Sequence, residues 1–411
     1  MELVNNQYQI QGLNLLEICQ KYDTPLYLYD GNTIINKIQS FREAFSGLNL
    51  KIKYAAKALT NISILKLMQS QGIGLDVVSI QEARLGLLAG FKPEAINFTP
   101  NGVSFEEIQE AVSLGLGVNL DNISSLEKFG NTYGGSIPIG IRLNPHVMAG
   151  GNSKISVGHV DSKFGISVLQ IRHILRIVKA HNLKISGLHV HTGSDILDSG
   201  VFLRVAEMIF ECAREFPDLK FIDFGSGFKV AYREGDVVTD IQDLGQTLGA
   251  TIQSFCVEYG HDLEIWFEPG KFLVSESGLF LAKTNVVKQT PATVFVGLDS
   301  GLNHLIRPMF YDSYHEIFNV SNTQGPARVY NVVGYICETD TFGADRKMHE
   351  VSEGDIIGFK NAGAYGFMMS SQYNSRFRPA EVLILNGKDY LIRERETMDD
   401  ILRNQILVDF E

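Results

Sequence analysis

The sequence predicts an α/β protein made of a (β/α)8 TIM-type barrel and a mostly antiparallel β-sandwich or barrel-like C-terminal domain. Three observations carry this. Eight apolar, strand-like runs alternate with helical patterns between residues 51 and 267. After residue 280 helical periodicity fades and strand-like runs take over. The chain has 411 residues, more than one ordinary core holds. We therefore expect a barrel over 31–278 and a β domain built from 1–30 and 279–411.

A short strand at 8–10, a helix around 13–21 and a strand at 25–29 open the chain, and a helical stretch over 31–46 leads into the barrel. The barrel runs are 51–56, 74–78, 95–98, 117–120, 137–143, 184–189, 219–224 and 263–267. Helical patterns at 61–71, 79–89, 104–114, 122–129, 166–181, 200–215 and 243–259 separate most of them. Such alternation argues a parallel sheet with helices outside. Eight units over about 220 residues suit a closed barrel, of which about 250 is typical; a doubly wound open sheet is the alternative. The longer stretch 144–165 breaks the rhythm, and its Gly150-Gly151 pair suits a mobile lid. In the β domain, strands are expected at 279–287, 293–298, 329–338, 355–359, 381–385 and 389–393. Asn386-Gly387 signals a hairpin turn between the last two. A short helix at 398–405 follows.

Composition narrows the partners. The chain is 45% apolar and 20% charged, as soluble globular proteins are. Its net charge is −11 and it has no long Lys or Arg run, which argues against nucleic acid. Cys19, Cys212, Cys256 and Cys337 lie far apart and show no metal-ligand spacing. That suits a reducing compartment and no structural zinc. The start, Met-Glu-Leu-Val-Asn-Asn, lacks signal-peptide features, and no apolar run has membrane-spanning length. We expect a cytoplasmic protein with no membrane partner and no metal.

In a barrel, chemistry collects where the strands end. The first run ends in Tyr54-Ala-Ala-Lys57. Lys57 is either a solvated rim lysine or an amine able to form a Schiff base with a carbonyl. The sixth run ends in His189-Val-His191-Thr-Gly-Ser194. His191 is either a hydrogen-bonded strand-end histidine or a ring that stacks on a flat ligand. The seventh ends in Gly225-Ser226-Gly227, which is a tight turn or a cradle whose N–H groups take a phosphate, with Ser194 adding a hydroxyl. The eighth ends in Glu268-Pro-Gly-Lys271 after the apolar Ile265-Trp-Phe267. A carboxylate there needs a partner, and a protonated ring nitrogen would serve. In a closed barrel the eighth strand lies beside the first, so Glu268 neighbours Lys57. A reactive lysine, a phosphate cradle, a stacking imidazole and a carboxylate for a pyridinium form the parts list for pyridoxal 5'-phosphate.

At these residues the chain resembles the alanine-racemase-like, fold-type III class of pyridoxal phosphate enzymes, and within it the diaminopimelate decarboxylases. The resemblance runs from Tyr27-Leu-Tyr-Asp30 to Arg378-Pro-Ala-Glu-Val-Leu383. Its most specific stretches are Tyr54-Ala-Ala-Lys57-Ala, His189-Val-His-Thr-Gly-Ser194, Glu268-Pro-Gly, Leu302-Asn-His-Leu-Ile-Arg307-Pro-Met-Phe-Tyr311, Tyr314-His-Glu316, Cys337-Glu338 and Gly363-Ala-Tyr365-Gly. The resemblance implies decarboxylation of meso-2,6-diaminopimelate to L-lysine and CO2. It implies that Lys57 carries the cofactor, that His191 stacks on its ring and that Glu268 meets its nitrogen. Ser194, Gly225, Ser226, Gly227, Gly270, Lys271 and Tyr365 surround the cofactor. Arg307 and Tyr311, with Lys271 and Tyr365, take a substrate carboxylate; Glu338 takes the distal ammonium and Cys337 donates a proton. Cys337 and Glu338 reach the site from a neighbouring subunit, so a homodimer is implied. Decarboxylation of another basic amino acid, racemisation and a non-catalytic cofactor-binding role are the alternatives. Three positions depart from the family pattern: Ser226 is usually glycine, Thr192 is usually apolar, and Lys271 is usually arginine. Lysine keeps the charge and loses the two-pronged contact.

Overall fold

The computed structural model describes residues 1–147 and 161–410, so the Gly150-Gly151 pair of the expected lid lies outside the described residues. The chain divides into two compact units, one of 37–231 with 237–272 and one of 1–36, 232–236 and 273–411.

The first unit is a closed parallel barrel. Its strands are β1 (Leu50–Ala55), β2 (Gly74–Val77), β3 (Ile96–Phe98), β4 (Gly117–Leu120), β5 (Ile139–Asn144), β6 (Ile185–Val190), β7 (Phe221–Asp223) and β8 (Glu264–Phe267). Each pairs with the next. Closure comes where Ile265 pairs with Leu50 and Phe267 with Ile52, so the open-sheet alternative falls. All eight predicted runs are strands.

Local chemistry sets the helices between them. Asn61, Ser79, Ser104 and Asn122 each follow a strand and accept an N–H of the helix they open, from Ser63, Glu82, Glu107 and Ser125. Such caps each contribute about 1 kcal/mol. One helix begins later than expected. Ile166–Ser167 adds a short parallel strand beside Leu143 and Asn144, Val168–Gln170 forms a 3-10 turn, and the helix is Ile171–His181. Ile166 is buried in that pairing, and the Ser167 hydroxyl accepts the Leu169 N–H. Burial and a local cap outcompete the helical periodicity read there.

Inside the barrel floor Phe221 stacks on Trp266 at 3.6 Å. Gly187 makes room: a Cβ there would lie 2.1 Å from the Phe221 ring. Lys53, buried in β1, lays its ammonium over Trp266 at 4.3 Å and donates to the Ala95 carbonyl. Burial lowers its pKa.

The second unit is a mixed, mostly antiparallel sheet. Leu26–Asp30 is central, between Gly278–Gln289 and Ala380–Leu385, and is buried on both faces. Leu26 and Leu28 pack with Ile10, Leu15 and Ile18. On the other face Tyr27 meets Phe280, and Tyr29 donates to Glu381 at 2.7 Å. The hairpin from Ala380–Leu385 to Lys388–Arg393 turns on Asn386 and Gly387 at positive φ, as Asn-Gly predicts.

One strand stops short of expectation. Ala327–Val333 ends five residues before 338, and an unpredicted strand, Thr341–His349, returns beside it. Asp340 is the reason. Its carboxylate accepts the N–H of Leu302 and of Ile336, and its carbonyl accepts that of Gly334. Residues 334–340 therefore close into a loop, which lifts Cys337 and Glu338 out of the sheet.

Two buried histidines in this unit set a pH dependence. His304 Nε2–H donates to the Phe377 carbonyl and its Nδ1 faces the Ser300 hydroxyl; His315 Nδ1–H donates to the Lys360 carbonyl. Burial holds them neutral, with pKa values pushed down to about 4 and about 3. The unfolded chain binds these protons near pH 6.5. Their stabilisation is therefore complete above about 6.5 and is lost as pH falls through the folded values. The difference in thermal midpoint between the parent and His304→Gln is expected to shrink from pH 7 to pH 4. A constant difference would refute it.

Candidate active site

Lys57 lies in a single 3-10 turn, Ala56–Ala58, at the carboxyl end of β1. Its side chain is exposed while Ala56 and Ala58 are buried. The Glu268-Pro-Gly turn after β8 packs against it. A Cβ on Gly270 would lie 3.2 Å from both the Ala55 and Ala58 methyls, so glycine permits the close approach. Lys57 is near enough for its charge to act on Glu268, Asp76, His189 and His191.

Glu268 is buried, and its Oε2 meets His189 Nε2 at 3.2 Å. Burial opposes its ionisation, but His189, Lys57 and a hydrogen bond from Asp223 outweigh it, and its pKa falls below the ordinary value. Asp76 and Asp223 go the other way. Burial first, and then the Glu268 charge, raise both well above the carboxylate range. One negative charge thus sits on Glu268 while its two acidic neighbours hold protons. Its other oxygen, Oε1, is buried and, among the described residues, accepts from no N–H or hydroxyl group, which leaves it open to a further donor.

His189, Asp223 and Arg142 are the residues sequence reading left without a role. Arg142 and Asp223 pair in register with His189 across β5, β6 and β7. The available signal was charged residues inside otherwise apolar strands. His189, Asp223 and Glu268 each offer an atom within 4.8 Å of the others. The charges of Lys57 and Arg142 bear on the same cluster, and they would oppose a metal cation there.

His191 is half-buried in the loop after β6 and accepts the Ser226 N–H on Nδ1 at 3.2 Å. Burial first, then the Lys57 and Arg142 charges, hold its pKa well below the ordinary value. The ring is therefore neutral, with its hydrogen on Nε2. Gly225 has φ +63, and a Cβ there would meet His191 Nδ1 at 2.8 Å and the Val190 carbonyl at 2.6 Å. Gly227, at φ +132, lies against the Gly193 carbonyl in the same way. The two glycines thus serve the approach of the His191–Ser194 loop. Ser226 is not among the positive-φ residues, which is why a side chain is tolerated. Two N–H groups of the turn are already engaged, Gly225 with Asp223 and Ser226 with His191. The cradle is narrower than the sequence suggests. Ser194 is half-buried in the facing loop.

Lys271 does not stand alone. Its Nζ meets Asp195 Oδ1 at 2.5 Å, and both side chains are part-buried. Asp195 adopts φ +61 directly after Ser194.

In the β unit, Arg307 is buried at the start of the short helix Arg307–Tyr311. The rings of Tyr232, Tyr311 and Tyr365 surround its guanidinium at 5.7, 5.8 and 5.9 Å. It donates to the Tyr232 and Ser313 hydroxyls, while its Nε is buried with no partner among the described residues. Tyr365 holds φ +56. Cys337 and Glu338 are exposed on the 334–340 loop.

These residues fit pyridoxal 5'-phosphate on the barrel side. A buried, ionised Glu268 suits a protonated ring nitrogen, a neutral imidazole suits a ring face, and Lys57 suits a Schiff base.

Comparison with known proteins agrees. The family described as pyridoxal-dependent decarboxylase, pyridoxal binding domain, matches residues 31–275. The diaminopimelate decarboxylase of Methanothermobacter thermautotrophicus is 35% identical over 96% of this chain and 95% of its own length. That of Bacillus subtilis is 34% identical over 96% and 94%. The crystal structure of diaminopimelate decarboxylase from Helicobacter pylori complexed with L-lysine superposes with a TM-score of 0.88 at 34% identity, covering 95% of this chain and 98% of that one. A lysine/ornithine decarboxylase from Vibrio vulnificus shares the fold alone, at 20% identity and a TM-score of 0.78. A barrel whose strand ends assemble these parts, and relatives matched over nearly their whole length, place the chain in the diaminopimelate decarboxylase family of pyridoxal-dependent decarboxylases.

Proposed function

We propose that this chain uses pyridoxal 5'-phosphate, bound through Lys57, to remove one carboxylate of meso-2,6-diaminopimelate, releasing L-lysine and CO2 as the last step of lysine biosynthesis. The observation that carries this reading is Glu268, buried at the end of β8 and ionised beside His189, with Asp76 and Asp223 protonated around it. Bound there, the cofactor supplies an electron sink for the pair left on the α-carbon when CO2 departs. Glu268 holds a proton at the ring nitrogen by its charge. His191, kept neutral, would face the ring without competing for that charge. Lys57 would hold the cofactor through its amine.

The remaining roles follow the family resemblance. On the barrel side, Ser194, Gly225, Ser226, Gly227 and Gly270 would line the phosphate. Arg307, boxed by aromatic rings, and Tyr311 hold the carboxylate that stays. Lys271 shares its charge with Asp195. Glu338 takes the distal ammonium, and Cys337 delivers a proton from Sγ to the α-carbon. Ornithine and lysine lack a distal carboxylate and leave Arg307 unpaired.

Exposure of Cys337 and Glu338 on the single chain supports a homodimer in which each serves the partner's site. Equal mixing of inactive Lys57→Ala and Cys337→Ala chains would then restore about a quarter of parental activity, because half the dimers are hybrids with one intact site. No recovery after exchange would refute the shared site. Free cysteines support a cytoplasmic setting; among the described residues no helix is long and apolar enough to cross a membrane. The substrate test is CO2 release from meso-diaminopimelate, L-lysine, L-ornithine and L-arginine side by side. Release from any other but not the first would overturn the assignment.

A further inference from the structure

The Cys337–Glu338 pair is exposed but held. Tyr373 donates its hydroxyl to Glu338 Oε1 at 2.5 Å. Asn374 Nδ2 lies 3.3 Å from Cys337 Sγ, and Asn374 Oδ1 lies 3.7 Å from the same sulfur. Two consecutive residues thus reach two consecutive residues across the loop.

The backbone is arranged for this. Asn374 and Ser375 have φ +56 and +54, a left-handed conformation that non-glycine residues adopt at a cost. Neighbouring contacts hold it there. Ser371 N–H donates to the Asn303 carbonyl, Gln372 and Arg378 both bind Glu396, and the Arg376 guanidinium lies 3.9 Å over the Tyr335 ring. Asn303 precedes Arg307 by four residues, so the same bracing ties this segment to the Arg307 loop.

We propose that Tyr373 and Asn374 are positioning residues for the reaction, holding Glu338 and Cys337 in place. Asn374 is matched to a sulfur that gains and loses a proton. This rests on the roles proposed above for Cys337 and Glu338. A carboxamide has a donor and an acceptor on one short side chain. Its oxygen faces the S–H of the thiol, and its NH2 faces the thiolate left when that proton moves to carbon. An acid in its place would accept only and would repel the thiolate. The other charged or titratable groups about the thiol are Glu338 beside it and the Tyr373 phenol, which bears on both; Asp340 lies at the base of the loop. The Tyr373 pKa is raised, first by its hydrogen bond to Glu338, so the phenol keeps the proton it donates.

The test is made on the holoenzyme. Asn374→Asp keeps the size and a tolerance for left-handed φ. It is expected to move the pH dependence of Cys337 alkylation by iodoacetamide, followed by peptide mass spectrometry, upward by about one unit. kcat is expected to fall about tenfold at neutral pH, with its alkaline limb moving the same way. Asn374→Gly, which favours the backbone conformation, is expected to lose a similar factor in kcat, so strain alone does not explain the loss. Tyr373→Phe is expected to raise KM for diaminopimelate more than it lowers kcat. An alkylation curve in Asn374→Asp that overlays the parent's overturns the proposal, whatever the turnover. A shifted curve with full turnover in Cys337→Ala supports the contact and refutes the role assigned to Cys337.

Discussion

Lys57→Ala is expected to lower kcat by at least about a thousandfold and to abolish the visible absorbance of lysine-bound cofactor. Fold and reactivity separate cleanly at this residue. Lys57 is exposed, in a turn whose flanking alanines are buried, so truncation creates no cavity and costs little stability. What it removes is the amine, and with it a positive charge that acts on Glu268 and both histidines. A parental circular dichroism spectrum with colourless protein after desalting is the expected result. Colour that survives desalting, with turnover intact, would remove Lys57 from the mechanism. Partial recovery with a small primary amine would show that the amine, and not the fold, was lost.

Glu268→Gln is expected to lower kcat by roughly a hundredfold to a thousandfold while cofactor still binds. The amide keeps the shape and can still contact His189, but it carries no charge to hold a proton at the ring nitrogen. The residual activity should rise with pH. In the parent, the Glu268 charge is the second cause, after burial, of the raised Asp76 and Asp223 pKa values. Without it Asp223, hydrogen-bonded beside the same position, ionises at lower pH and supplies part of the missing charge. Asp223→Asn in the Glu268→Gln background is then expected to remove the rise. Parental kcat in the single variant would show that the carboxylate has no electronic part in the reaction.

These expectations rest on features that were legible to different degrees. The barrel could be read because its strands are short apolar runs and its helices carry their own caps. Asn61, Ser79, Ser104 and Asn122 begin helices through contacts within three residues. The Asn386-Gly387 hairpin was legible for the same reason. Where distant contacts decide, the reading failed. The strand expected through residue 338 ends at Val333 because the Asp340 carboxylate binds the N–H of Leu302, 38 residues away.

The site shows the same division. Residue types at strand ends were enough to name Lys57, His191, the 225–227 turn and Glu268, because a barrel gathers its strand ends on one face whatever the loops do. Their electrostatic states were not readable. Which carboxyl of Asp76, Asp223 and Glu268 keeps the charge depends on burial and on distances to His189 and Lys57, and one-dimensional spacing carries neither. Nor could the sequence show that Lys271 grips Asp195, or that Gly225 makes room for an imidazole. Residue type and local order supplied the alternation of strands and helices and the parts of a cofactor site, and the motifs carried the family resemblance. Closure of the barrel, the protonation pattern around Glu268, the pairing of Lys271 with Asp195 and the contact of Asn374 with Cys337 came from the folded chain, because each depends on groups brought together from far along it.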